Sequence, residues 1–322
     1  MTIGTILFDR WGLLRSGWRF AIFVAAFTLA AIIISMLGAA VYSIIYSATG
    51  TAGELPTPVA RILQGLPLLA AALIIGWLCT KFLEKLPPRA LGASFTPGWL
   101  SHLMLGIVFG GGSLLLAILI AFVFGGLRFE VNSDLTRLTA SLAGSFLVLA
   151  VAAAFEEALC RGYILQTFAR SNLAWLAIAL TSALFAAGHL YNPDAGPFSM
   201  VNTALAGVWL GIAYLRSRDL WFPFGMHLMW NWMQGSIFGI EISGITDLVG
   251  SSVLKEVDSG PAWLTGETYG IEGGVAGTIA IIVSIAAIML LPIFRPSAEM
   301  AALTSPRRSD GLDLEGNIDG TG

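Results

Sequence analysis

Apolar stretches of about 20 residues recur along the whole chain, and short polar segments separate them. A helix of roughly 20 apolar residues is long enough to cross the hydrocarbon core of a bilayer. The pattern predicts eight such helices, near residues 20–47, 60–80, 101–126, 140–168, 173–190, 200–215, 222–240 and 274–294. The first stretch exceeds the length of a cleaved signal's apolar region, so we expect it to be retained. The predicted fold class is therefore all-α, a polytopic membrane helix bundle.

The composition supports the same conclusion. Of the 322 residues, 56% are hydrophobic and 11% are charged, whereas soluble domains carry about 25% charged residues. The mean hydropathy is +0.80. We expect a multi-pass protein of the cell membrane, with lipids as its surroundings. A net charge of −3 provides no field that would attract nucleic acid.

The positions of lysine and arginine predict the orientation. Cytoplasmic loops carry an excess of these residues. Basic residues precede the first helix and follow the second, fourth, sixth and last helices: Arg10, Arg15, Arg19, Lys81, Lys85, Arg89, Arg170, Arg216, Arg218, Arg295, Arg307 and Arg308. Both termini are therefore expected in the cytoplasm, and the mostly acidic segment 241–273 is expected outside.

Ionisable groups interrupt three of the apolar stretches, although one such group at a helix centre costs about 2.5–3.5 kcal/mol. They occur in the sequences Glu156-Glu157-Ala-Leu-Cys-Arg161, Phe185-Ala-Ala-Gly-His189 and His227-Leu-Met-Trp-Asn231. The spacing from Glu157 to Arg161 and from His227 to Asn231 is four residues, which places each pair on one helix face. For Glu156 to meet His189, the fourth helix must continue to about residue 168.

These residue types suit peptide hydrolysis. The reaction needs a base for water, donors for the oxyanion and a proton for the leaving amine. A desolvated glutamate can serve as base or acid, and His and Asn can donate hydrogen bonds. A glutamate with two histidines also suits a divalent metal such as zinc. No cofactor is certain from the sequence, and both mechanisms remain open at this point.

The three motifs, in this order, resemble those of the CAAX-processing and bacteriocin-processing intramembrane peptidases. This family is also called the type II CAAX prenyl endopeptidase or abortive-infection family. The resemblance covers about residues 140–240 and includes the continuation Arg161-Gly162-Tyr163-Ile164-Leu165-Gln166. Cys160 departs from the pattern, since an aromatic residue commonly precedes the arginine. The departure is expected to affect packing more than chemistry.

The resemblance implies a role for each motif residue. Glu156 would activate water, and Glu157 would lie beside it, oriented by Arg161. His189 would hold or polarise the water, while His227 and Asn231 would stabilise the oxyanion. The family has been described both as metal-dependent and as acting through glutamate without a required metal. We expect an intramembrane endopeptidase, with its cavity open toward the cytoplasm, that cleaves a membrane-associated or prenylated-type peptide or protein.

The predicted organisation has four parts. Residues 1–139 hold N-terminal transmembrane helices, 140–240 the peptidase-like core, 241–296 an external loop and the last helix, and 297–322 a disordered cytoplasmic tail. In addition, Gly106 and Gly110 predict close helix packing. Two other functions remain open: a scaffold or immunity-type protein that binds a peptide without cutting it, and a proton-coupled transporter.

Overall fold

A computed structural model describes residues 3–49, 56–133, 136–258 and 260–306 as a largely helical bundle. The predicted all-α fold class is confirmed. The α-helices are α1 (Ile3–Leu7), α2 (Ser16–Thr49), α3 (Thr57–Glu84), α4 (Trp99–Val123), α5 (Leu138–Glu157), α6 (Leu165–Arg170), α7 (Ala174–Gly188), α8 (Pro197–Ser217), α9 (Trp221–Trp232), α10 (Ala262–Thr265), α11 (Val275–Leu290) and α12 (Ala298–Thr304). Short 3₁₀ turns lie at Pro88–Leu91, Glu267–Tyr269 and Ile271–Gly273.

Two π-helical segments extend the α-helices. Ala158–Ile164 joins α5 to α6, so the helical path runs without a break from Leu138 to Arg170. The expected long fourth helix is therefore confirmed. Met233–Ile237 similarly extends α9. A π-helical segment places an extra residue in the turn and is frequent at functional sites.

Five helical segments are long and apolar enough to cross a membrane: Ser16–Ala48, Thr57–Glu84, Trp99–Val123, Leu138–Arg170 and Pro197–Ser217. The apolar helices α7 and α11 are shorter, with 15 and 16 residues. Each of the eight predicted stretches is helical, but eight membrane crossings remain a prediction.

Two features differ from the sequence-based expectations. An antiparallel pair of strands, β1 (Leu127–Val131) and β2 (Leu254–Asp258), joins the end of α4 to the long loop before α11. Alternation over five residues is too short a signal to have predicted it. The tail expected to be disordered from residue 297 begins instead with α12, whose N-terminus is capped by Ser297. Residues 307–322, including Arg307 and Arg308, lie outside the described residues.

Glycines allow α4 and α9 to pack backbone against backbone. A Cβ atom at Gly110 would overlap the carbonyl oxygen of Met226, and one at Gly225 would overlap that of Leu103. Gly106 faces the backbone of Phe222 in the same way. Close backbone approach between small residues is a main source of helix association in membranes. The contact fixes α9, which carries two of the predicted site residues, against α4.

Replacing Gly110 with alanine is therefore expected to force α4 and α9 apart and to lower stability by about 1–3 kcal/mol, the usual cost of overpacking. Thermal unfolding in detergent would measure this loss. Gly112→Ala is the matched control on the same helix, because a Cβ there meets nothing within 4 Å. Equal unfolding temperatures for the two variants would contradict the packing argument.

Basic residues and buried ion pairs gather at one end of the bundle, which we call the basic face. Arg19 and Arg170 both pair with the buried carboxylate of Glu84 and so tie the start of α2 to the ends of α3 and α6. At the same end, Arg89 pairs with Glu299 at 2.5 Å. Arg218 donates to the carbonyl of Thr304. Segments that the charge pattern assigned to one side therefore meet in space.

Candidate active site

A cavity of about 280 Å³ lies between α3, α5, α7, α8 and α9. Its volume is near the lower end of the range for ligand sites, about 300–1,000 Å³. Most of its walls are apolar, and polar groups converge on one part of it. Four predicted site residues line the cavity: Glu156, His189, His227 and Asn231. The other two, Glu157 and Arg161, lie buried directly behind them.

Glu157 is the buried anchor of the cluster. Its Oε1 atom accepts a hydrogen bond from Arg161 Nη1 at 3.1 Å and lies 2.9 Å from His227 Nδ1. Since a carboxylate oxygen accepts, Nδ1 of His227 carries the proton that it donates. Arg161 also donates to the carbonyl of Gly207 at 3.1 Å, which ties the pair to α8. Arg161 thus holds Glu157 in place through a hydrogen bond, and the role of the pair in a reaction stays a prediction.

Glu156 faces the cavity instead of the core. Its side chain is 29% exposed, against 1% for Glu157. The Oε2 atom of Glu156 lies 3.7 Å from His227 Nε2, which is beyond hydrogen-bond distance, and it has no hydrogen-bond partner among the described residues. Neighbouring positions on one helix point about 100° apart, so the two glutamates serve different surroundings. Glu156 is thus the carboxylate that can meet a reacting molecule.

The ring of His189 is held in one tautomer. Its Nδ1 atom lies 2.8 Å from the carbonyl oxygen of Phe185, to which it donates. The Nε2 atom is then an acceptor in the neutral ring. His189 is the residue directly after α7, and it lines the cavity. This arrangement suits a group that accepts a hydrogen bond from a cavity molecule.

The aromatic ring of Phe185 lies close to three of the site's polar side chains. The Arg161 guanidinium lies 4.8 Å from the ring centroid, a cation–π distance. The rings of His189 and His227 lie 4.8 and 5.8 Å from the same centroid. The aromatic residue four positions before His189 is therefore a support for the site. The departure at Cys160 is buried in the main core and lies in the π-helical segment with Arg161.

One acidic residue of the cavity was not predicted. Glu272, in the turn before α11, lines the same cavity as His189 and His227. Its Oε2 atom accepts a hydrogen bond of 2.5 Å from Ser243 Oγ. Burial raises the pKa of Glu272 above its usual value, although the Ser243 hydrogen bonds act in the opposite direction. The sequence did not reveal Glu272 as a site residue, because it is one of several carboxylates in an acidic loop. No local pattern links residue 272 to residue 156.

The raised pKa of Glu272 predicts how the stability of the folded protein depends on pH. A carboxyl group whose pKa is higher in the folded than in the unfolded state stabilises the fold when it is protonated. This stabilisation is complete below the unfolded pKa of about 4.3, and it is lost as the pH rises through the folded pKa. Glu272→Gln is expected to unfold at a higher temperature than wild type at about pH 8, and the gap is expected to close toward about pH 4. Thermal unfolding across this range would measure it. A gap that widens at low pH would contradict the sign.

The donor arrangement does not fit a zinc site. Within the part of the chain that the structure describes, no group of three or more His, Cys, Asp or Glu side chains is placed to share one metal ion. The Nδ1 atoms of His227 and His189 face Glu157 and a carbonyl oxygen, and within the described residues their Nε2 atoms do not converge with a third such ligand. The described residues therefore do not supply the three protein ligands of a catalytic zinc site.

A comparison with known protein families matches the segment that contains the predicted site residues. Residues 138–233 match the family model described as type II CAAX prenyl endopeptidase Rce1-like. The stated resemblance is thereby confirmed, and the match supports a membrane-embedded peptidase of this type. The matched region covers less than a third of the chain, contains all six predicted site residues and excludes Glu272. No curated protein matches the chain.

Proposed function

We propose that this protein is an intramembrane endopeptidase in which Glu156 activates water for attack on a peptide bond. The observation that carries the proposal is the convergence of Glu156, His189, His227 and Asn231 on one cavity, with Glu157 and Arg161 fixed behind them. The family match over 138–233 supports it. A site enclosed by helices excludes bulk water and strengthens the electrostatic interactions on which the reaction depends.

The first step is attack by water. A water molecule that donates one hydrogen bond to Glu156 and the other to His189 Nε2 would be oriented toward a carbonyl carbon in the cavity. As its oxygen bonds to that carbon, a proton passes to the Glu156 carboxylate. The orphan Oε2 atom of Glu156 provides the acceptor. The tautomer of His189, fixed by Phe185, provides the second acceptor.

The second step stabilises the oxyanion. His227 and Asn231 are one helical turn apart on α9, and both line the cavity. In its doubly protonated form, His227 donates through Nδ1 to Glu157 and through Nε2 into the cavity, and the two flanking carboxylates balance its charge. The Asn231 amide supplies a second donor. Removing one donor of such a pair typically costs about 10²–10³ in kcat.

The last step breaks the C–N bond. Glu156 returns the proton that it took from water to the leaving amine nitrogen, so that one carboxylate and one amine product form and the site is restored. Glu157 keeps its hydrogen bonds to Arg161 and His227 and so holds His227 in place. By resemblance, two substrate classes are candidates: a membrane-associated peptide and a prenylated C-terminus.

Purified protein in detergent, incubated with a peptide library that includes prenylated C-termini, tests the proposal. In heavy-oxygen water, mass spectrometry should find one heavy oxygen in the new carboxylate of each cleaved peptide. Cleavage should persist when a chelator is added. If every peptide stays intact, the binding-only and transport alternatives gain support. Loss of cleavage with the chelator would contradict the metal-free mechanism.

A further inference from the structure

The mouth of the cavity lies at the end of the bundle opposite the basic face. Its lining includes the outer turns of α3, at Arg61 and Gln64, and residues of the loop between α9 and α11, at Ser243, Leu248 and Glu272. We call this end, built from residues 238–274 with β1, the loop face. From Leu138 at this end, Glu156 lies about 27 Å along α5, at ~1.5 Å per residue.

An ion pair marks the rim of the opening. Arg61 Nη2 donates to both carboxylate oxygens of Asp247, at 2.8 and 2.7 Å. The two side chains are 39% and 53% exposed, so the rim is in contact with solvent. Below it, the walls are mostly apolar as far as Glu156: Leu68, Val148, Leu149, Val151, Ala152 and Phe155. The path suits an extended peptide with apolar side chains.

Packed side chains close the site toward the basic face. Four large side chains on this side of the Glu157–Arg161 pair are fully buried: Tyr163, Leu165, Phe222 and Met226. No residue of the basic face that the structure describes lines the cavity. Water and substrate therefore reach Glu156 from the loop face.

The charge pattern assigns the two faces to opposite sides of the membrane. The basic face holds Arg10, Arg15, Arg19, Lys81, Lys85, Arg89, Arg170, Arg216, Arg218 and Arg295. The loop face carries mostly carboxylates, at Glu130, Glu241, Asp247, Glu256, Glu267 and Glu272, beside the basic residues Arg128 and Lys255. The excess of lysine and arginine places the basic face in the cytoplasm. We expected both an external segment 241–273 and a cavity open to the cytoplasm, but these expectations exclude each other because that segment forms the mouth.

We infer that the cavity receives its substrate from the extracytoplasmic side. The substrate class is then an exported peptide, or a membrane-anchored protein whose scissile segment lies at the outer leaflet, and not a cytoplasmic C-terminus. That the molecule entering the cavity is a substrate rests on the proposed peptidase function. The access route itself rests only on the cavity, the packed floor and the charge distribution.

Cysteine labelling in membranes tests the access route without any need for activity. Ala152→Cys places a thiol on the cavity wall, one helical turn from Glu156 toward the loop face. Thr246→Cys reports on the exposed loop face, and Ser305→Cys on the basic face. The native Cys79 and Cys160 are buried, so wild type is the blank. A charged, membrane-impermeant methanethiosulfonate is applied to right-side-out and inside-out vesicles of the full-length protein.

The expected result is that Ala152→Cys and Thr246→Cys react in right-side-out vesicles only, and Ser305→Cys in inside-out vesicles only. Labelling of Ala152→Cys from the same side as Ser305→Cys would overturn the inference, as would its failure to react from either side. Reaction of Thr246→Cys in inside-out vesicles only would overturn the assigned orientation. A protein that labels as expected but cleaves no peptide would refute the proposed function and leave the access route standing.

Discussion

Replacing Glu156 with glutamine is expected to lower peptidase turnover by about 10²–10⁴, the usual contribution of a general base. The amide keeps the volume of the side chain but cannot take a proton from water. Because the Glu156 side chain is 29% exposed to the cavity and pairs with no arginine, stability should change little. Initial cleavage rates of purified variants, measured by mass spectrometry on the best peptide of the library, would show the loss.

A matched control separates loss of the base from loss of a negative charge. Glu267→Gln removes one carboxylate from the exposed loop face, away from the cavity lining, and should cleave as wild type does. Glu156→Asp keeps the acid but withdraws it by one methylene, and an intermediate rate is expected. If Glu156→Gln retains wild-type turnover at an unchanged unfolding temperature, another group must activate the water.

Replacing Arg161 with leucine is expected to cost about 3–5 kcal/mol of folding free energy, the typical result of leaving one buried charge without its partner. Arg161 and Glu157 are 0% and 1% exposed. The change also leaves the Gly207 carbonyl without its donor and removes the cation–π contact with Phe185. Unfolding by denaturant or heat in detergent would measure the effect, which should exceed that of any other substitution described here.

A double substitution tests whether the unpaired charge is the cause. Replacing a whole buried ion pair with apolar residues of similar volume is often close to neutral. Arg161→Leu combined with Glu157→Leu should therefore recover much of the stability that Arg161→Leu loses, while peptidase activity stays absent because His227 has lost its acceptor. If the double variant loses as much free energy of unfolding as the two single variants together, the two residues act independently.

The helices could be predicted because each one is a long apolar stretch bounded by polar residues. The stretch near 200–215 corresponds to α8 at Pro197–Ser217, and that near 173–190 to α7 at Ala174–Gly188. Periodicity cannot reveal β1 and β2, whose pairing depends on residues more than 100 positions apart. It also gives no sign of the π-helical segment after Glu157.

The chemistry of the site could be predicted in part for a related reason. Charged and polar groups within apolar stretches are costly and therefore conspicuous, which drew attention to Glu157, Arg161 and His227. Glu272 lies in a polar loop, where a carboxylate is ordinary and does not stand out from its neighbours. Only the folded chain brings it to the cavity. The direction of the cavity likewise depends on how the loop after α9 folds back, which no local pattern contains.

The backbone contact between α4 and α9 has a consequence for how the chain is divided. The region of sequence similarity, 138–233, includes α9 but not α4, whose glycines form the groove that α9 occupies. It also omits Glu84, which anchors Arg170, and Glu272, which completes the cavity wall. A fragment cut at the limits of similarity would lack one side of its own interior. The shared segment is thus a set of reacting groups carried by a larger cooperative unit, and its ends are not folding boundaries.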